Sequence, residues 1–282
     1  MVKAFRLFID WIKSIDPRYY LIANHTILLS CGMLLLSLKR TPLQIAVAVG
    51  ACIAVELIMS RITMKQGTFD IKSRIMSSLI LGLSSVILVR SYDWWFYGVI
   101  AIVGVLSKYL FVNHNGRHIF NPTNVAVLFA VIVLPEAMVF RPDTFAGHPA
   151  PLVCITIFGL LATIRADVWR VPLGYVIGLI AIGIPLGHVM GFHWLMVIGP
   201  EITVSTFLFM MLMITDPLTC PENHKEQLLF GILVAVVNLF LKYQEMYYTL
   251  FMALFIVTAF GPLIFRSIGK AVLPKPPIKT AT

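Results

Sequence analysis

LQIAVAVGACIAVELIMS, residues 43–60, contains one charged residue, Glu56, in a run that is otherwise apolar between Gln44 and Ser60. The hydrocarbon core of a bilayer is crossed by about 20 apolar residues in a helix, so this run reads as a membrane span. Working outward, the same reading gives nine further spans near 20–38, 75–90, 94–112, 122–140, 151–165, 172–190, 200–215, 227–242 and 246–265. Composition agrees. With 59% hydrophobic and 12% charged residues and a mean hydropathy of +0.90, the chain is excluded from the class of soluble domains. The connections between the apolar runs are short, so any catalytic domain is expected from a partner chain.

Residues 2–15 set Lys3, Arg6, Asp10 and Lys13 at helical spacing against Phe5, Phe8, Trp11, Ile12 and Ile15, with no small-residue cleavage site after them. This is the pattern of an amphipathic helix lying on a membrane surface rather than of a signal peptide. Orientation follows from the basic residues. Sixteen Lys and Arg fall on the side of both termini, five (Lys39, Arg40, Arg90, Arg141 and Lys242) fall on the other, and Lys108 lies within a span. By the positive-inside rule both termini are cytoplasmic. The net charge of +9 is accounted for by this asymmetry, without a nucleic-acid partner.

Two polar motifs interrupt the apolar pattern at the cytoplasmic side, His118-Ile119-Phe120-Asn121-Pro122 and Thr215-Asp216-Pro217. Proline at the first position of a helix loses no hydrogen bond. Asn121, Asn124, Thr215 and Asp216 beside these prolines offer donors and acceptors suited to a flavin ring edge or a cation. Asn121 and Asp216 are equally the residue types that cap helix ends. Glu56 and Lys108 are ionisable residues inside spans at similar depth, which makes them a structural ion pair or part of an ion path. Glu201 opens the eighth span on the external side, as a helix-terminus charge or an ion entrance.

Cys31, Cys52, Cys154 and Cys220 show no CxxC pair and read as packing residues, the alternative being a cluster shared with another protein of an assembly. His148, His188 and His193 lie externally without the i, i+3 or i+4 spacing of metal or haem ligands within a span, so no metal site is expected.

The stretch from Lys108 through Asn115-Gly116-Arg117-His118 to Asn121-Pro122 resembles the Rnf D / NQR B superfamily, membrane proteins of Rnf complexes and of sodium-translocating NADH:quinone oxidoreductase. The run from Phe209 to Thr215-Asp216-Pro217, followed by Gly231, is similar to the same proteins. Segments 75–122 and 200–265 match in order and spacing. The resemblance implies an all-α membrane protein of ten spans in two five-helix halves. The boundaries are then 1–19 for the interfacial helix, 20–140 and 151–267 for the halves, and 268–282 for a cytoplasmic tail. It also implies a component of an electron-transport assembly coupled to ion translocation in a bacterial inner membrane, partnered by other membrane subunits and a soluble redox protein. Such proteins carry FMN esterified to an external threonine and a non-covalent riboflavin nearer the cytoplasm, which the resemblance would place against Asn121, Asn124, Thr215 and Asp216.

The chain departs from the family at two places. In the external loop 143–150 the family's Asp-Gly-x-Ser-Gly-Ala-Thr is echoed by Asp143 and Gly147, but its acceptor threonine falls on Pro149, and Thr144 lacks the expected flanking residues. A phosphoester needs a hydroxyl, so no covalent FMN is expected at the family's position. Phe209 and Met210 stand where the family more often has small residues. Both departures open an alternative, a transport or scaffold protein of the same fold that has lost electron transfer, like the relatives associated with enediyne biosynthesis.

Overall fold

The computed structural model describes residues 14–36, 38–63, 70–113, 117–140, 145, 148–191 and 193–268. The expected amphipathic helix lies almost entirely outside the described residues, as do the tail, the Asn115-Gly116 turn and most of loop 143–147, including Asp143, Thr144 and Gly147. The described chain is helical apart from short connections. Its helices are α1 (Pro17–Leu35), α2 (Pro42–Thr63), α3 (Ile71–Leu88), α4 (Trp95–Leu110), α5 (Pro122–Val133), α6 (Pro149–Arg165), α7 (Arg170–Val189), α8 (Trp194–Glu201), α9 (Val204–Met213), α10 (His224–Tyr243) and α11 (Thr249–Ile268). A two-residue antiparallel pair, β1 (Val89–Arg90) with β2 (Val139–Phe140), ties the end of α3 to the segment after α5. Four helices, α2, α3, α7 and α10, are long and apolar enough to cross a membrane. A fifth crossing results if α8 and α9, bent by 65° at their junction, form one broken span.

Local chemistry explains the helix ends. Asp16, Asp70 and Asn121 each cap a helix by accepting a backbone N–H, and α1, α2, α5 and α6 all begin at proline, whose missing N–H is an orphan there anyway. Two expected segments end differently. The run 122–140 is helical only to Val133, because Pro135 restricts Leu134 and cannot extend the helix. The run 200–215 is not one helix: Glu201 closes a 3-10 turn, and Thr203 starts α9 afresh by accepting the Thr206 N–H at 3.2 Å. Within α7 and α9, residues Leu179–Gly183 and Phe209–Met213 widen into π-helix.

Packing repeats along the chain. In the first five helices α1 packs on α3, α2 on α4 and α4 on α5; afterwards α6 packs on α9, α7 on α10 and α10 on α11. The pairs α1 with α6 and α5 with α11 join the two groups. Polar links then define two faces. On one, Arg18 reaches Ser73, Arg165 reaches the Ile15 carbonyl and His224 reaches Asp167. On the other, the half-turn after α1 places Arg40 against the carbonyls of Val86 and Val89, at 2.7 and 3.2 Å, and Gln44 against that of Ser91.

The closest helix pair is α7 with α10. A Cβ on Gly231 would fall on the Val171 carbonyl oxygen, and one on Gly174 on that of Leu228, so backbone meets backbone there. Small residues at such crossings let helices associate by van der Waals contact without help from the hydrophobic effect. Gly231→Val is expected to lower the thermal unfolding midpoint in detergent by an amount equivalent to about 2 kcal/mol or more. Gly50→Ala, where nothing lies within 4 Å, is expected to leave it unchanged or slightly raised. Equal midpoints for the two variants would refute the close crossing.

Candidate functional site

The two polar motifs meet. After α4 the chain turns back, with an isolated bridge between Val112 and His118, and enters α5 through Asn121. After α9 it makes the turn 214–223 that leads to α10. Asn121 works in both directions: its Oδ1 accepts the Asn124 N–H at 3.1 Å, and its Nδ2 donates to the Met213 carbonyl at 3.1 Å and to Asp216 Oδ2 at 3.4 Å. His118 Nε2 lies 3.1 Å from Asp216 Oδ2, and the Leu218 N–H donates to Asp216 Oδ1 at 3.0 Å. Arg117 completes the junction. Its guanidinium donates to the carbonyls of Pro217, Leu218 and Cys220 and pairs with Glu222. Residues about a hundred positions apart thus form one clamp.

Asp216 lies in the turn, outside the spans. Burial alone would push its carboxyl up, but the hydrogen bond and charge of His118, then the Leu218 amide, outweigh it and hold the group below its ordinary value of 3.8. Thr215 and Asn124 face inward. Thr215 Oγ1 donates to the Met211 carbonyl at 2.7 Å, and Asn124 Nδ2 donates to the Phe251 carbonyl at 3.0 Å. Of the polar atoms of these four side chains, Asn124 Oδ1 is buried without a partner among the described residues. A flavin needs a cavity of roughly 300 Å³ or more with unspent donors and acceptors. Phe209 and Met210 are buried instead, and the Phe209 ring packs edge-on to Tyr175 and Phe251, at 6.2 and 6.0 Å between centroids. A small cavity of about 10 Å³ between His25, Ser84 and Met213 is the size of one water. As packed, Asn121, Asn124, Thr215 and Asp216 do not fit a flavin.

The second constellation centres on Glu56, which is 1% exposed. Lys108 Nζ lies 3.0 Å from its Oε2, and Arg74 and the Tyr109 hydroxyl lie 3.1 and 2.9 Å from its Oε1. Lys108 also donates to Ser77 Oγ at 3.0 Å. The structure therefore brings Glu56 and Lys108 together and adds a second cation that the sequence does not place there. One carboxylate shared by two cations leaves the cluster with excess positive charge.

A similar cluster lies at the opposite face, and the sequence does not reveal it as a unit. Glu201, 4% exposed, is paired with Lys242; the Tyr175 hydroxyl donates to its Oε2 at 2.9 Å, and Asn238 Nδ2 lies 3.1 Å from Tyr175 and 3.3 Å from Glu201. A partial signal is Lys242 near the end of α10, the place that Lys108 holds in α4; the tyrosine of this cluster comes from α7 and has no such signal. The Arg117–Glu222 contact puts the end of α4 on the face where α10 starts, so the two lysines stand at opposite ends of the bundle. His25 also escapes sequence reasoning. Its Nδ1 lies 2.6 Å from the Leu21 carbonyl, so that nitrogen carries the proton and Nε2 accepts from Ser84 Oγ at 2.8 Å. No group of three or more metal-ligating side chains occurs among the described residues, and the four cysteines are all free.

Removing one member of a buried pair leaves the other charge uncompensated, a loss of roughly 3–5 kcal/mol. Arg74 makes the two sides unequal. Glu56→Leu strands two cations and is expected to show the full loss. Lys108→Met leaves Glu56 with Arg74 and Tyr109 and is expected to lose about 1.5–3 kcal/mol, the range for a hydrogen bond to a charged group. The double variant should recover part of the Glu56→Leu loss, and thermal unfolding of the three proteins in detergent measures it. Additive losses would mean that the pair is not coupled.

The Asp216 clamp gives a pH dependence. A carboxyl held below its unfolded value contributes stability that is present above pH 3.8 and is lost as pH falls through the folded value. Between about pH 5 and about pH 2 the unfolding midpoint of the wild type is expected to fall more steeply than that of Asp216→Asn. Parallel pH profiles would remove Asp216 from the clamp. Compared with known protein families and with curated proteins, the chain matches none.

Proposed function

We propose that the chain is a membrane component of an electron-transport assembly, built like the proteins of the Rnf D / NQR B superfamily. It would cross a bacterial inner membrane ten times with both termini cytoplasmic, partnered by other membrane subunits and a soluble redox protein. One observation carries this reading: the two motifs on which the resemblance rests, distant in sequence, are joined through Asn121 and Asp216. The alternation of polar links between two faces supports the topology. Glu56 and Lys108 are the groups we would assign to coupling with ion movement, as an ion path or as a structural pair.

The second reading is a scaffold or transport protein of the same fold that has lost electron transfer. It is favoured by the packing of Phe209 and Met210 and by the spent polar atoms of the motif residues. It is favoured again by Pro149, which begins α6 where the family's threonine would carry FMN.

Gently purified wild-type protein separates the two. A non-covalent flavin at the motif would give a yellow preparation whose colour is released by denaturation and is missing from folded Asn121→Leu. Flavin fluorescence on a denaturing gel is expected to be negative in every case, because Pro149 offers no hydroxyl. A colourless wild type favours the scaffold reading, and a fluorescent denatured band would overturn the expectation of no covalent FMN.

A further inference from the structure

A groove of about 530 Å³ lies between the last turns of α6, the first turns of α7 and the π-helical part of α9. Its walls are Leu160, Ile164, Trp169, Leu173, Val176 and Met211, all apolar apart from the indole N–H. It opens on the face that holds the clamp, since α6 ends and α7 begins there. Two arginines adjoin its lining residues in the chain. Arg165 follows the lining residue Ile164, is exposed, and donates through Nε to the Ile15 carbonyl. The Arg170 guanidinium lies over the Trp169 ring at 4.5 Å and contacts Asp167 at 3.1 Å. Asp167 is the counter-charge at this corner, and it is already engaged by His224 at 2.7 Å as well.

We propose that this groove binds one anionic phospholipid, with an acyl chain along the apolar walls and the phosphate headgroup at Arg165 and Arg170. A cleft walled almost wholly by apolar side chains suits an acyl chain rather than a polar ligand. Tryptophan and arginine are the residues that anchor at a membrane–water interface, and basic pockets between helices at such an interface bind anionic headgroups. Arg165 donates to a backbone carbonyl, and Asp167 is shared between Arg170 and His224, which leaves net positive charge at this corner for a phosphate, a group that Arg binds in bidentate fashion. The widened turn at Phe209–Met213 shapes the inner wall by bringing Met210 and Met211 to the groove. The inference rests on membrane embedding alone, and stands or falls separately from the redox reading.

The test uses the full chain in phosphatidylcholine vesicles containing a brominated lipid, which quenches tryptophan on contact. The difference between wild type and Trp169→Phe isolates the Trp169 signal from the other four tryptophans. Dibrominated phosphatidylglycerol is expected to half-quench that signal at an about fivefold lower mole fraction than dibrominated phosphatidylcholine. Arg165→Gln with Arg170→Gln should remove the preference while quenching persists, and Val176→Phe, which fills the groove, should reduce the maximal quench with either lipid. Equal half-quench concentrations in the wild type would mean ordinary contact with bulk lipid and would overturn the proposal. An unquenched Trp169, or a preference that survives loss of both arginines, would overturn it too.

Discussion

Glu56 sits in a helix whose other residues are nearly all apolar, and its carboxylate is tolerable there only because Lys108, Arg74 and Tyr109 converge on it. That convergence fixes more than a charge. It holds α2, the start of α3 and the end of α4 at one depth, so the vertical register of three helices follows from one side chain. Apolar packing alone would not set it, since an apolar ridge can slide past another by a turn at small cost, whereas a displaced lysine strands a carboxylate. Glu201 does the same for the later helices, linking the α8–α9 junction to Tyr175 of α7 and to Asn238 and Lys242 of α10.

Both clusters draw their members from within one group of packed helices, and this shapes how the groups meet. Because Glu56 and Glu201 each have their counter-charge inside their own group, the contact between groups need not supply one for either. That contact is largely apolar along α1 with α6, apart from the Cys154 thiol on Asn24, and at one face it is sealed by backbone-directed bonds and two charged contacts: Asn124 to the Phe251 carbonyl, Asn121 to the Met213 carbonyl, Arg117 to three carbonyls after α9 and to Glu222, and His118 to Asp216. Carbonyls at the end of a helix lack intrahelical donors. Asn121 supplies one on this face, to Met213 at the end of α9, and Arg40 does so for α3 on the other.

The positions of most helices were legible because a long apolar run is a property of the local sequence alone, although four of the described helices, or five with the bent pair, are long and apolar enough to cross a membrane. Their ends were legible where a proline or an Asx residue marks the first turn, as at Asn121-Pro122. They were misread where a short break hides inside an apolar run. Leu134-Pro135 and Ile202-Thr203 change hydropathy too little to interrupt an averaged pattern, yet each removes a backbone hydrogen bond or offers a competing cap. The meeting of Glu56 and Lys108 could be anticipated because both are charged, rare and at equal depth. The role of Arg74 could not, since it starts in the flanking polar segment and reaches inward by the length of its side chain.

The clamp shows the same limit in a sharper form. Asn121 and Asp216 were visible as polar breaks on one face, but their sequence context gives equal reason to expect a ligand and a cap. Which it is depends on what stands across the gap, and that is decided by Met213, His118 and Arg117, none of which has a local pattern that points to the other motif. Polar atoms directed at protein partners serve a ligand only if the ligand replaces those bonds with equally good ones. A flavin at this place would have to displace Phe209 from Tyr175 and Phe251 and free Asn121 from the Met213 carbonyl, loosening the bond that joins α5 to the end of α9. A cofactor site and an inter-helix clamp therefore compete for the same atoms, and as packed these atoms hold the clamp.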